Sequence, residues 1–217
     1  MSEANEFRAA LYAEVIVFMR QRHPDLIDAA YEYFWEEEYP EDFLSGLPLE
    51  LGFINFEDWF ICDYRIPEDD AGRGITDLYL EESGQKGDGE KSAALLALKR
   101  SFISLYEAKP GADDGALVLE DVLSGRTHSF GRVPFDGLKD GSLFAARVLE
   151  FAGRGNVMGA CIYPFAASMR QAVLDSVGRQ LARYKKNKNP EGTLQDFLKD
   201  ESYTFNTIWT NSLYSRS

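Results

Sequence analysis

Through the N-terminal half, apolar side chains return at three- and four-residue steps; between 116 and 151 they return at every second residue. The first period belongs to helices and the second to half-buried strands. A chain that carries one and then the other folds neither as a plain helical bundle nor as an all-strand sandwich. In "NEFRAALYAEVIVFMR" the helical period runs through Phe7, Leu11, Val15 and Phe18. Pro24 then suits the first turn of a second helix, "PDLIDAAYEYFWEEE", with Asp25 and Asp28 near its positive end. The acids Glu36 to Glu38 read as a solvated face.

"YPEDFLSGLPLELG" reads as a bridging loop, after which Asn55 caps a helix that sets Phe56, Trp59, Phe60, Asp63 and Tyr64 on one face and stops before Pro67. "ITDLYLEES" is a further short helix, and "GQKGDGE" is the stretch most open to proteolysis. "KSAALLALKRSFISLYEA" continues as a helix through Leu95, Leu98, Phe102 and Leu105 toward a strand near Tyr106. Two strands then flank Ser124-Gly125, and "LFAARVLEF" and "VMGACIY" pair across "AGRGN". Helices return in "ASMRQAVLDSVGRQLARYKK" and "TLQDFLKDESYTFNTIWTN". The expected fold is α+β. An acidic helical region (1–108) and a C-terminal helical region (166–217) pack around a small antiparallel β module (109–165), able to curl into an SH3-like barrel, the whole forming one compact unit. No internal repeat occurs.

With 45% hydrophobic and 13% aromatic residues among 217, the chain has material for a sizeable core, which excludes disorder over its length. No apolar run approaches the roughly 20 residues of a membrane span, and "MSEANEFRAA" lacks the basic-then-apolar layout of a signal. The expected location is the cytoplasm, away from membranes. The net charge of −13 is uneven: residues 1–92 hold 23 acids and 7 bases, whereas 93–217 hold 13 acids and 16 bases. That acidity repels phosphate backbones and disfavours nucleic acid as a partner.

Few residues offer chemistry. Cys62 and Cys161 lie far apart in apolar company and read as buried hydrophobes. With only His23 and His128 besides, no zinc site is spelled out, and no carboxylate loop for calcium occurs, so no metal and no cofactor is expected. P-loop, "GxSxG", "HExxH" and "CxxC" patterns are absent. "GRGNVMG" lies between strands, where its amides cannot converge on a helix N-terminus, and reads as a hairpin turn.

The catalytic candidates are Asp63, placed by helical period among aromatic side chains that would raise its pKa, and His128, which follows a turn in the β module. Asp58 falls off that aromatic face. Asp77 and Arg65 are the nearest titratable groups that could partner Asp63, and the simpler reading is a carboxylate fixed by hydrogen bonds for structure. Asp121 and Arg147 each sit on an otherwise apolar strand face, and are expected to neutralise one another as a structural pair. The sharper alternative sets Arg147 on an anionic ligand. Finally "RQLARYKKNKN" gathers Arg179, Arg183, Lys185, Lys186 and Lys188; of these, Arg183, Lys185 and Lys186 are the candidate partner-binding residues.

The motifs "FEDWFICDY" (56–64), "LEDVLSGRTH" (119–128) and "DGSLFAARVLEF" (140–151) resemble a group of poorly characterised bacterial proteins that often end in a SEC-C zinc motif. The likeness spans about residues 50–165 and sets Trp59, Phe60, Asp63, Asp121, Gly125 and Arg147 at the group's marked positions. The tail "DESYTFNTIWTNSLYSRS" lacks the cysteines of that motif, so neither zinc nor the associated docking role carries over.

With no complete catalytic set, a charge asymmetry and this resemblance, the expected function is that of a non-catalytic cytoplasmic interaction or regulatory module with a protein partner. The alternative is an enzyme or small-ligand binder built on Asp63. A weaker one is nucleic-acid binding through the β module and the basic helix.

Overall fold

The computed structural model describes residues 3–67, 69–84, 89–111, 116–132, 138–151, 153 and 155–214. The chain divides into two compact units, one of Met1–Ser101 with Leu149–Cys161, the other of Phe102–Val148 with Ile162–Ser217. The strands thus contribute to both, and the boundaries differ from the three consecutive regions expected.

The first unit holds α1 (Glu3–Arg22), α2 (Pro24–Phe34), α3 (Pro40–Phe43), α4 (Leu47–Cys62), α5 (Ile75–Glu82) and α6 (Glu90–Arg100). Pro24 opens α2 as its first residue, where a missing N–H costs no hydrogen bond. Glu36 and Glu37 follow in the left-handed region, at φ 54° and 65°, and turn the chain out of α2. The expected loop at 39–52 is instead α3 and the start of α4, so Asn55 lies buried inside a helix and caps nothing. From Phe56 to Cys62 every α4 side chain except Glu57 is buried, as in a helix enclosed on nearly all sides. α1, α2, α5 and α6 all contact α4, with Phe34 of α2 against the rings of Phe56 and Trp59, and Leu11, Val15, Met19, Tyr79, Leu95 and Leu98 of these helices are buried. Gly52 leaves room for Trp35, since a Cβ there would meet the indole Cη2 at 3.0 Å.

The strands are β1 (Ile103–Pro110), β2 (Ala116–Asp121), β3 (Thr127–Arg132), β4 (Leu143–Phe151) and β5 (Gly155–Phe165), in the order β3-β2-β1-β4-β5. β1 contains the strand expected near Tyr106 but starts earlier, at Ile103, where its first residues read in sequence as the tail of a helix. Because the order is linear, with β3 and β5 at the edges, the sheet does not close into the expected SH3-like barrel. β4 and β5 flank the glycine-rich turn as expected, and Gly153 and Gly155 take the positive φ values of 77° and 73° it needs. Residues 152 and 154, most of "GQKGDGE" (85–88) and residues 133–137 lie outside the described residues.

The second unit adds α7 (Arg170–Asn187), α8 (Leu194–Asp200) and α9 (Thr204–Tyr214) to β1, β2, β3 and parts of β4 and β5. The expected final helix is thus two, α8 being opened by a reciprocal cap in which Thr193 Oγ1 accepts from the Asp196 amide at 3.1 Å while Asp196 accepts from the Thr193 amide at 2.8 Å.

Candidate functional site

The most enclosed carboxylate of the aromatic helix is Asp58, not Asp63. Asp58 Oδ1 accepts from the Tyr12 hydroxyl of α1 at 2.7 Å and from the Ala160 amide of β5 at 3.0 Å, and the side chain is fully buried. Cys62, one turn on, brings its Sγ to 3.4 Å from the same hydroxyl. One carboxylate so ties together three segments of the first unit. A buried carboxylate that accepts several hydrogen bonds is held in place by them, which is structural work.

Asp63 follows the last residue of α4, and its amide donates to Trp59 O at 2.8 Å. Asp77 accepts from the Gly74 amide at 3.0 Å and from Lys99 Nζ at 2.6 Å. Burial works to raise its pKa, but these two donors outweigh it and the carboxyl ends below its ordinary range. Arg65 donates to Gly72 O at 3.1 Å. Both residues offered as partners of Asp63 are thus bound into the loop and helix that follow it. Nearby, Glu14 accepts from Tyr79 Oη at 2.5 Å and from Lys91 Nζ at 2.5 Å, and these bonds hold its carboxyl below the usual range. Burial first, and the bond to Glu14 second, push the Tyr79 phenol up to about 12.

In the second unit the strand register corrects the expected Asp121–Arg147 pair. Asp121 stands opposite Tyr106 and Arg147 opposite Ile103, three residues apart on β1. Directly opposed residues share a face and alternate residues share a face, so positions 103 and 106 point oppositely, and Asp121 and Arg147 lie on opposite faces of the sheet. Both are buried. Asp121 Oδ1 instead accepts from Ser104 Oγ at 2.9 Å and from the amides of Leu123 at 2.9 Å and Ser124 at 3.1 Å, which closes the turn into β3. His128 lies on the Asp121 face, its ring edge-on to Tyr106 at 5.9 Å.

Two surfaces stand out. On α7, Val173, Val177 and Tyr184 face inward, while Arg179, Arg183, Lys185 and Lys186 are exposed. The four- and three-residue steps from Arg179 to Arg183 to Lys186 make one stripe of positive charge. Lys188, just past the helix, pairs with Glu201 at 2.5 Å. In the first unit, an open groove of about 500 Å³ runs along α6. It is lined by Ala93, Ala94, Leu96 and Ala97, by the rings of Phe7 and Phe151, and by the charged Glu90, Arg100 and Glu150. Phe7 and Phe151 meet edge to face at 5.8 Å.

The sequence pattern of a family of unknown function, DUF7986, matches residues 53–199, about two thirds of the chain. The chain belongs to DUF7986. No curated protein and no solved structure matches it. The DUF7986 span takes in Asp58 and Ala160, the whole sheet and α7, and leaves Tyr12 and Phe7 of α1 outside it. Among the described residues of this DUF7986 chain, no three His, Cys, Asp or Glu side chains gather as metal ligands would, and no helix is long and apolar enough to cross a membrane. Sequence reasoning missed Asp58 because its partners come from 46 and 102 residues away. It missed the α6 groove because alanines at 93, 94 and 97 carry little apolar signal.

Proposed function

We propose that this DUF7986 chain is a non-catalytic cytoplasmic interaction or regulatory module that docks an acidic protein partner on the basic face of α7. The observation that carries the reading is the exposed stripe of Arg179, Arg183 and Lys186, with Lys185 beside it, on a helix whose apolar side is already covered. Placed on a regular helix, the cations hold a fixed spacing, which favours a partner with carboxylates at matching steps. The net charge of −13 favours such a partner over a nucleic acid, whose uniform phosphates meet repulsion from the rest of the chain. Kinship with the SEC-C group belongs to the same proposal.

The test is fluorescence anisotropy with a labelled Glu/Asp-rich helical peptide and, separately, a single-stranded oligonucleotide. The wild-type chain and the triple variant Arg183→Glu, Lys185→Glu, Lys186→Glu are compared. The reading expects the peptide to bind the wild type, with affinity falling on reversal of these charges by at least about tenfold, or ~1.4 kcal/mol. Equal binding by the two proteins removes α7 from the function. Preference for the oligonucleotide moves the proposal to nucleic acid.

A further inference from the structure

We propose that the exposed face at the start of α4 is a docking surface for a basic amphipathic helix of a protein partner, one that sets apolar side chains and Lys or Arg along the same side. Three- and four-residue steps join Leu47, Glu50, Phe53, Ile54 and Glu57 into one stripe, within about 120° of arc. Leu47 is 64% exposed, Ile54 41% and Phe53 37%, whereas Phe56, Trp59, Phe60 and Ile61 of the same helix are buried. Three large apolar side chains held toward water on one helix face form a patch of the kind that a partner covers. Because its ridges run at three- and four-residue steps, the patch fits the matching ridges of another helix, axes ~8–10 Å apart.

Charge selects the occupant. From His23 to Tyr64 the chain carries 12 carboxylates and no lysine or arginine. Glu50 stands between the apolar residues of the stripe, and among the described residues no cation pairs with it. Glu57 meets Arg20 at 3.3 Å in an exposed contact, which contributes little and leaves the carboxylate open to a second cation. A helix with Lys or Arg beside its apolar residues gains from both glutamates, whereas an acidic segment or a phosphate surface is repelled. A second copy of the chain does not supply this match. Its basic helix α7 turns Val173, Val177 and Tyr184 inward and exposes no large apolar side chain to cover Leu47, Phe53 and Ile54.

Fluorescence anisotropy on the full chain in ~0.15 M salt tests the surface, with a labelled helical peptide that carries Leu at three- and four-residue steps and Lys between them. The wild type is expected to bind it. A peptide of the same composition with its leucines out of helical step should bind at least about tenfold more weakly. Glu50→Lys, and separately the double variant Leu47→Gln, Ile54→Gln, should weaken binding of the first peptide by a similar factor. All three positions are exposed, and melting curves that match the wild type verify that the variants are folded. Charge reversal at Arg183, Lys185 and Lys186 should leave binding at least as tight, which separates this face from α7. A wild type that does not bind, equal affinity for the two peptides, or unchanged binding by both α4 variants would each overturn the proposal. So would a wild-type dimer in sedimentation velocity that Ile54→Gln abolishes, since the occupant would then be a second copy.

Discussion

Tyr12 and Asp58, 46 residues apart in the chain, share a 2.7 Å hydrogen bond inside the first unit, and the same carboxylate oxygen also receives the Ala160 amide. Both ends of this arrangement are buried: Tyr12 is 8% exposed and Asp58 not at all. The carboxylate fixes how α1, α4 and β5 meet, and this gives a measurable ranking of substitutions.

Asp58→Ala leaves the Tyr12 hydroxyl and the Ala160 amide without this acceptor, and should cost ~3 kcal/mol of stability. Tyr12→Phe removes one donor only and should cost ~1 kcal/mol. Denaturant unfolding of both singles and the double should show a coupling of ~1 kcal/mol, since the residues are in contact. Additive losses would mean that the bond contributes nothing net.

Gly52→Ala tests whether Trp35 can yield. Alanine inside a helix is worth ~1 kcal/mol over glycine, so stability would rise if the indole moved. The ring is boxed in by Tyr31, Phe34 and Phe43 at centroid distances of 6.4, 5.0 and 6.0 Å, and the new Cβ would lie 3.0 Å from it. Overpacking of this kind costs ~1–3 kcal/mol, and a net loss is expected in thermal melts. Trp35→Phe, which lacks the atoms in the way, should reverse the sign of the Gly52→Ala effect.

The Glu14–Tyr79–Lys91 cluster makes stability depend on pH at both ends. Glu14 is held below its ordinary 4.5, so its contribution is complete above that pH and drains away as the pH falls toward the folded-state value. Tyr79 is raised from 10 to about 12, so its contribution is complete below pH 10 and is lost between 10 and about 12. Melting temperature measured against pH should show Lys91→Met flattening the acid limb and Tyr79→Phe flattening the alkaline limb. Limbs identical to wild type in both variants would show that the cluster does not govern them.

What the sequence discloses depends on how local the cause is. β4 was readable from its first residue to its last because Leu143 to Phe151 form a nine-residue apolar run broken only by Arg147 and Glu150 and bounded by glycine-containing turns. The turn at Ser124-Gly125 was readable because Gly125 supplies the positive φ it needs, 73°. α4 misled in part because a helix enclosed on nearly all sides has no preferred face: period put Asp63 inside, where it is, but left Asp58 outside, where it is not. The Asp121–Arg147 expectation failed for a different reason. Each strand's alternation was read correctly, but which face of β2 joins which face of β4 is set by the strand between them. The start of β1 was hidden because "SFISLY" continues the apolar pattern of α6, and the break at Ser101 is a backbone change, to ψ 161°, that composition does not mark.

The partition of the chain also has a consequence for its synthesis. Ala160 is 102 residues beyond Asp58, and at bacterial or eukaryotic rates of about 5–20 residues per second its arrival lags by roughly 5–20 s. Until then the nascent helices hold a carboxylate in an apolar setting while the Ala160 amide that bonds it is still in or behind the ribosome. The N-terminal unit cannot complete itself vectorially, as a contiguous domain would. It waits for most of its neighbour to be translated first.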